Sequence, residues 1–273
     1  MQKGYKNPHL LSSPEGLWER LNDPKLHLID ARPPEEYAQG HIAGAVSFDP
    51  YGISLPDTRP GPLSSFTWMY EYLLGLKGVD HDRCVVIYEE EAGLRAARIF
   101  WFLEYFGHVD AHLLDGGLRA WQERGYPLVR DSRPPKRAHF KGERIEGRLA
   151  TAEYLLERLG REDLAIVDAR SDEEWSGKLV RARRAGAIPG AVHIEWKMNL
   201  DSRGALKPAG ELERMYREAG ITPDKEVIAY CQGGYRSAHT YLALRLLGYS
   251  RVRNYLGSWK EWGDREELPI VKP

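Results

Sequence analysis

Val227-Ile228-Ala229-Tyr230-Cys231-Gln232-Gly233-Gly234-Tyr235-Arg236-Ser237 reads as an apolar strand running into a tight, glycine-bearing loop, and Ala238 to Leu247 continue it as a helix closed by Gly248. A loop that enters a helix turns unpaired backbone N–H groups, and the positive end of the helix dipole, into its own hollow. Such a hollow holds an anion. With the Cys231 sulfur at its floor and the Arg236 guanidinium on its rim, the local field favours thiolate over thiol, moving a cysteine pKa from roughly 8.5 toward about 3.5–7.5. Cys231 is therefore the candidate nucleophile. A cysteine that merely packs sits within its strand, as Cys84 does beside Val85 and Val86; Cys231 stands where the strand stops and the glycines begin.

The chain has 273 residues, enough for two domains that each bury a core. Its 39 Lys+Arg nearly balance its 40 Asp+Glu, so no nucleic-acid footprint is expected. No stretch approaches the roughly 18 apolar residues that cross a bilayer, and the opening Met-Gln-Lys-Gly-Tyr-Lys-Asn-Pro lacks the apolar core of a signal peptide. A cytoplasmic protein without a membrane partner is expected. Two cysteines make no disulfide framework, and the Cys and His spacing suggests no metal site.

Asp30-Ala31-Arg32, closing the apolar run from Leu26, returns as Asp168-Ala169-Arg170. Glu35-Glu36-Tyr37 returns as Glu173-Glu174-Trp175, and Gly40-His41-Ile42-Ala43-Gly44-Ala45-Val46 as Ala187-Ile188-Pro189-Gly190-Ala191-Val192. The chain is an internal repeat. Asp30 and Asp168 are offset by 138 and Gly44 and Gly190 by 146, so the second copy gains eight residues, around Gly177-Lys178-Leu179-Val180-Arg181-Ala182-Arg183-Arg184. Tyr88 and Tyr230 are offset by 142, which places four extra residues in the first copy, near Pro56-Asp57-Thr58-Arg59-Pro60-Gly61-Pro62. That segment reads as an irregular surface loop.

Short apolar strands alternate with helices in each copy, including Leu94–Phe106 before Gly107, which implies an α/β fold of mainly parallel sheets with helices on both faces. Both copies end on short runs from glycine to tryptophan, Gly117 to Trp121 and Gly257 to Trp262, whose tryptophans are read as core. The expected boundaries are residues 1–126 for an N-terminal domain, 127–148 for a linker and 149–273 for a C-terminal domain. Ligands in open parallel sheets bind outside the carboxyl ends of the strands, where Cys231 stands.

Aligning the copies sets Glu89 opposite Cys231, so the first copy has no nucleophile. Glu89 is read as a solvated charge at a strand end, with a carboxylate facing the other copy's site as the alternative. Four residues separate Cys231 from Arg236. A cysteine phosphatase loop needs five to wrap a phosphoryl group; the tighter ring suits one sulfur atom carried on the cysteine, with N–H donors from Gly233 to Ser237. Asp30 and Asp168 are read as structural acceptors. His41, matched by Ala187, is not read as a catalytic base, and the role of His239 stays open.

These residues together resemble the rhodanese family of sulfurtransferases: two repeats with Asp-Ala-Arg strand ends, the Gly-His-Ile-x-Gly-Ala and Ala-Ile-Pro-Gly-Ala segments, the six-residue loop Cys231–Arg236 and the closing Gly-Ser-Trp-x-Glu-Trp. The resemblance implies two rhodanese-like domains, the first inactive and packed against the second to frame its site. It implies transfer of the outer sulfur of thiosulfate to cyanide or a thiol acceptor through a persulfide on Cys231. Gln232, Gly233, Gly234, Tyr235, Arg236 and Ser237 would bind substrate, with no cofactor or metal. Cys-Gln-Gly-Gly-Tyr-Arg-Ser is similar to bacterial thiosulfate enzymes, whereas 3-mercaptopyruvate sulfurtransferases usually show Cys-Gly-Ser-Gly-Val-Thr. The alternatives are that sulfurtransferase, a cysteine-dependent phosphatase or arsenate reductase, and a non-catalytic scaffold.

Thiosulfate is a dianion, and a thiolate about 4 Å away meets roughly 4 kcal/mol of repulsion per unit charge at an effective dielectric near 20. Arg236 is expected to offset it. Lys178, Arg181, Arg183 and Arg184, inserted only in the second copy, are candidate anion-binding residues, a solvated basic loop being the other reading. Glu174 stands where vertebrate-type enzymes carry an arginine.

Overall fold

A computed structural model describes residues 3–132 and 134–273; Met1, Gln2 and Arg133, the last within the expected linker, lie outside the described residues. The first sheet is built from β1 (Leu11–Ser12), β2 (Leu26–Asp30), β3 (Val46–Ser47), β4 (Cys84–Tyr88) and β5 (Ala111–Leu114), in the order β1-β5-β4-β2-β3. Its helices are α1 (Pro14–Glu19), α2 (Pro34–Gln39), α3 (Pro60–Leu76), α4 (Leu94–Tyr105) and α5 (Gly117–Glu123). The second sheet repeats the plan with β6 (Leu149–Ala150), β7 (Leu164–Asp168), β8 (Ala191–His193), β9 (Glu226–Tyr230) and β10 (Val252–Tyr255), ordered β6-β10-β9-β7-β8. With it go α6 (Ala152–Leu156), α7 (Asp172–Trp175), α8 (Ala209–Glu218), α9 (Arg236–Leu246) and α10 (Ser258–Trp262). Strands within both sheets pair in parallel.

The two central strands, β4 and β9, are apolar on both faces because each face is covered. Val85 and Ile87 of β4, and Val227 and Ala229 of β9, belong to one continuous core running through α4 and α9, which pack against each other. The opposite faces hold separate clusters: Val86, Tyr88, Leu118 and Trp121 in the first copy, and Ile228, Tyr230, Trp259 and Trp262 in the second. The domains thus share a core, and the loop after β9 faces the first domain.

The repeated Asp-Ala-Arg has a structural cause. Arg170 donates to Asp168 through its backbone N at 2.9 Å, Nε at 2.9 Å and Nη2 at 2.6 Å, and Nη2 also reaches the Gly186 carbonyl at 2.7 Å. The Tyr230 hydroxyl donates to the same carboxylate at 2.6 Å. Asp30, Arg32 and the Gly40 carbonyl make the same lock in the first copy. Both aspartates are structural acceptors that pin strand end to following loop.

One expectation is corrected. The Pro56–Pro62 segment is not a free surface loop: Thr58 is buried, donates from N and Oγ1 to Glu261 at 2.7 Å each, and accepts from Ala152 N at 3.0 Å. Pro60, suited to a first helical turn, opens the 17-residue α3. In the stretch between the copies, Val129 pairs with the His41 backbone, Ala138 N donates to the Gly75 carbonyl and Ile145 N to the Tyr105 carbonyl, which ties it to the first copy at these points.

Arg170→Ala leaves Asp168 as a buried charge without its cation. A loss of about 3–5 kcal/mol in urea unfolding is expected, and a loss of less than about 1 kcal/mol, typical of surface pairs, would contradict the lock.

Candidate active site

Cys231 follows β9 directly, and its side chain is almost fully buried at the floor of the loop that starts α9. The Sγ accepts from Gly234 N at 3.2 Å, with Ser237 Oγ at 3.5 Å. The Ser237 hydroxyl donates more closely to Asn254 Oδ1, at 2.6 Å. Cys231 N donates to Ser258 Oγ at 3.1 Å; Ser258 is the one non-glycine with positive φ, +52°, among the described residues, strain spent where the nucleophile is held. Burial pushes the Cys231 thiol up, but the Arg236 charge, the Ser237 hydroxyl and the N–H groups of Ser237 and Gly233 outweigh it, so its pKa falls below the usual thiol range.

Arg236 does not point free onto the rim. Its Nη2 donates to Glu174 Oε1 at 2.9 Å and its Nη1 to Oε2, a bidentate pair with a carboxylate that is itself buried. The residue opposite it in α7 is an acid, so the cation expected to offset the substrate's charge is shared with a carboxylate. Glu174 also closes the Ser171 capping box of α7. Its carboxyl is opposed by burial, yet Arg236 holds it below the ordinary carboxylate range.

The inserted cations separate. Arg181 lines the cavity over Cys231, with Nη1 3.6 Å from Glu174. Arg184 is corrected to a structural role: its guanidinium donates to the carbonyls of Gly263, Trp262, Arg265 and Leu268, tying the insertion to the C-terminal segment. Arg183 engages Asp264 through its backbone, leaving its side chain exposed, and Lys178 is exposed.

The cavity measures about 380 Å³ and is lined by Cys231, Gln232, Gly233, Tyr235 and Arg236 from the loop, with Arg181. Tyr51, Gly52, Ser54 and Leu94 complete it from the first domain, and none was singled out in the sequence. The Tyr235 hydroxyl lies between the carbonyls of Pro50 and Ile53, at 2.7 and 2.8 Å, fixing this wall to the loop. Gln232 Nε2 donates to the Arg181 carbonyl at 2.7 Å. His239 is buried and bridges to the Ala92 carbonyl at 2.8 Å; burial lowers its pKa to about 4, so it is a neutral tie between the domains.

The first copy's loop is occupied by its own side chain. Glu89 is buried, and Oε1 accepts from Arg95 N at 2.7 Å and Ala96 N at 3.0 Å. It is neither solvated nor turned toward Cys231. The carboxylate fills the N–H hollow where the second copy holds sulfur.

A further group, Cys84, Asp110 and His112, comes together at the start of β4 and β5, a juxtaposition hidden by linear spacing. His112 Nδ1 donates to the His9 carbonyl and Nε2 meets Asp110 at 2.7 Å. Burial works against its charge, yet contacts with Cys84, Asp110 and His9 hold the imidazole up at about 9.

A cysteine in an N–H cradle at the end of a parallel strand, with a carboxyl-filled twin in the other copy, defines a tandem α/β protein with one anion-stabilising cysteine loop. The family described as Rhodanese-like domain matches residues 13–124 and 151–265. The chain is 39% identical over 261 residues to a thiosulfate sulfurtransferase of Azotobacter vinelandii, covering 96% of each. It is 39% identical over 262 residues to one of Pseudomonas aeruginosa, again covering 96% of each. The sulfur carrier protein TtuD of Thermus thermophilus is 36% identical over 288 residues, 98% of this chain and 99% of that one. Among solved structures, the anaerobic ergothioneine biosynthesis enzyme of Chlorobium limicola superposes with a TM-score of 0.85 at 23% identity, over 97% of this chain and 71% of that one, a likeness of fold. The chain belongs to the rhodanese family, and with it to the sulfurtransferases.

Glu89 supplies a pH signature. Burial raises its pKa to about 7 from the ordinary 4.5, against the pull of the Ala96 and Arg95 N–H groups. Between those values the folded chain keeps a proton that the unfolded chain has lost, so stability falls as pH rises through the window. Wild type should lose on the order of 2–3 kcal/mol more than Glu89→Gln between about pH 5 and pH 8 in urea unfolding; parallel profiles would contradict the placement.

Proposed function

We propose that the chain is a thiosulfate sulfurtransferase that works by double displacement through Cys231. The observation that carries the reading is the Cys231 sulfur, lowered in pKa and held by Gly234 N, at the floor of a cavity that reaches solvent beside Arg181. The thiolate attacks the outer sulfur of thiosulfate. As the new S–S bond forms, the bond to the sulfonate sulfur breaks and sulfite leaves with its electron pair. The added sulfur rests on Cys231 as a persulfide anion, within reach of the loop N–H donors. Cyanide or a cellular thiolate then attacks that outer sulfur and returns Cys231 to thiolate. One difficult transfer becomes two easier ones.

The names of the Azotobacter and Pseudomonas relatives support thiosulfate as donor, and the sulfur-carrier name of the Thermus relative supports a thiol acceptor. Because Arg236 holds Glu174 in a bidentate pair, whereas Arg181 is half-exposed and only 3.6 Å from the same carboxylate, Arg181 is the cation we assign to the sulfonate. Gln232 and Gly233 shape the cavity wall beneath it. Two buried, unpaired cysteines suit the reducing cytoplasm as the working compartment, and no helix is long and apolar enough to cross a membrane.

Incubation with thiosulfate should add about 32 Da to the intact mass, a gain removed by cyanide, and Cys231→Ala should show neither the gain nor turnover. A gain from 3-mercaptopyruvate alone would change the donor; sulfur transfer by Cys231→Ala would overturn the assignment.

A further inference from the structure

Arg98 lies on α4 of the first domain, is fully buried, and meets the active-site loop of the second. Its Nη1 donates to the Gly234 carbonyl at 2.8 Å, and its guanidinium lies 4.7 Å from the Tyr235 ring centroid and 4.9 Å from that of Phe102. Nε and Nη2 have no hydrogen-bond partner, and no carboxylate pairs with Arg98 among the described residues. The other buried arginines among the described residues are compensated, Arg32 by Asp30 and Arg170 by Asp168. A lone buried cation is costly, and a packing role would be served by an apolar side chain.

The groups whose charge favours ionised Arg98 are Tyr235, Tyr70 and Cys231, while burial works against it. Burial also keeps the Tyr235 and Tyr70 hydroxyls protonated at neutral pH, which leaves the Cys231 sulfur as the one of the three groups whose charge Arg98 would feel once the thiol ionises. The hydrogen bond adds a geometric effect. Asn254 Nδ2 joins Arg98 on the Gly234 carbonyl, at 3.1 Å. The peptide is trans, so holding that carbonyl outward turns the Tyr235 N–H to the opposite side of the loop. Among the described residues that N–H has no protein acceptor, so it is free for an anion in the hollow. Gly234 has φ +87°, and a Cβ there would collide with Nη1 of Arg98, so the glycine and the arginine fit only together.

The geometry points to Arg98 as a positioning residue for sulfur transfer: the first domain supplies, through it, the clamp that aims the Tyr235 N–H at the transferred sulfur, and a buried cation that acts on Cys231 beside that of Arg236. This rests on Cys231 as the sulfur-bearing nucleophile. It also assigns the nucleophile-free domain a part in the chemistry of its twin.

The test is ultraviolet titration of the Cys231 thiolate, each background read against its own Cys231→Ser control, in wild type, Arg98→Met and Arg98→Lys. Arg98→Met should move the thiolate midpoint up by about one pH unit or more, a tenfold or larger loss of thiolate at a pH below both midpoints. Arg98→Lys, which keeps the charge, should stay near wild type in midpoint yet lose turnover of the persulfide, because it lacks the planar fork that holds the carbonyl. A folded Arg98→Met with the wild-type midpoint would overturn the proposal. If that variant does not fold, Arg98→Gln replaces it: a midpoint above that of Arg98→Lys supports the proposal, and equal midpoints overturn it. The midpoint is read whether or not thiosulfate loads the sulfur, so this inference and the donor assignment fail separately.

Discussion

A cysteine sulfur buried at the floor of a loop, yet held so as to favour its anion, is the constraint around which this molecule is arranged. Burial alone raises a thiol pKa, and the same burial that makes a thiolate costly makes each compensating dipole and charge more effective. The chain answers with donors that need no desolvation of their own: N–H groups at the mouth of α9, freed because a helix start has no carbonyl to give them. Gly234 permits the backbone turn, Ser258 accepts the strain of capping Cys231 N, and the Arg170–Asp168–Tyr230 lock fixes the strand end beneath. Each of these serves to hold one atom still.

The twin domain shows the same scaffold under the opposite demand. An N–H hollow at the carboxyl end of a central strand binds an anion whether or not chemistry follows. In the first copy Glu89 folds into that hollow and takes the donors of Arg95 and Ala96, closing the loop with a covalently attached occupant. The domain therefore keeps its fold without a ligand while presenting Tyr51, Ser54, Leu94 and Arg98 to its partner. The shared core through α4 and α9 makes this delivery rigid, and the Thr58–Glu261 and Tyr235–Pro50 contacts register the two halves.

What the sequence made legible was local. The repeat, the parallel α/β plan and the Cys231 loop follow from runs of fewer than about a dozen residues, whose periodicity and glycines specify backbone geometry directly. What it hid was charge pairing across the fold. Arg236 and Glu174 are 62 residues apart and meet only because β7 and β9 are neighbours. Arg98 carries no signal in its own stretch of helix, and its role shows only when α9 is laid against α4. Glu89 reads as a solvated strand-end charge because nothing in its neighbours says that its side chain turns inward. Thr58 sits in a proline-rich stretch whose composition signals a loop but not its anchor.

The most direct measurement is the rate at which iodoacetamide alkylates the wild-type chain as a function of pH, with the modified residue located by peptide mass. The cradle predicts reaction at Cys231, with an inflection well below the ordinary thiol value of about 8.5 and with Cys84 unmodified. An inflection at or above about 8.5 would contradict it, leaving Cys231 a buried thiol in a loop that does not stabilise its anion.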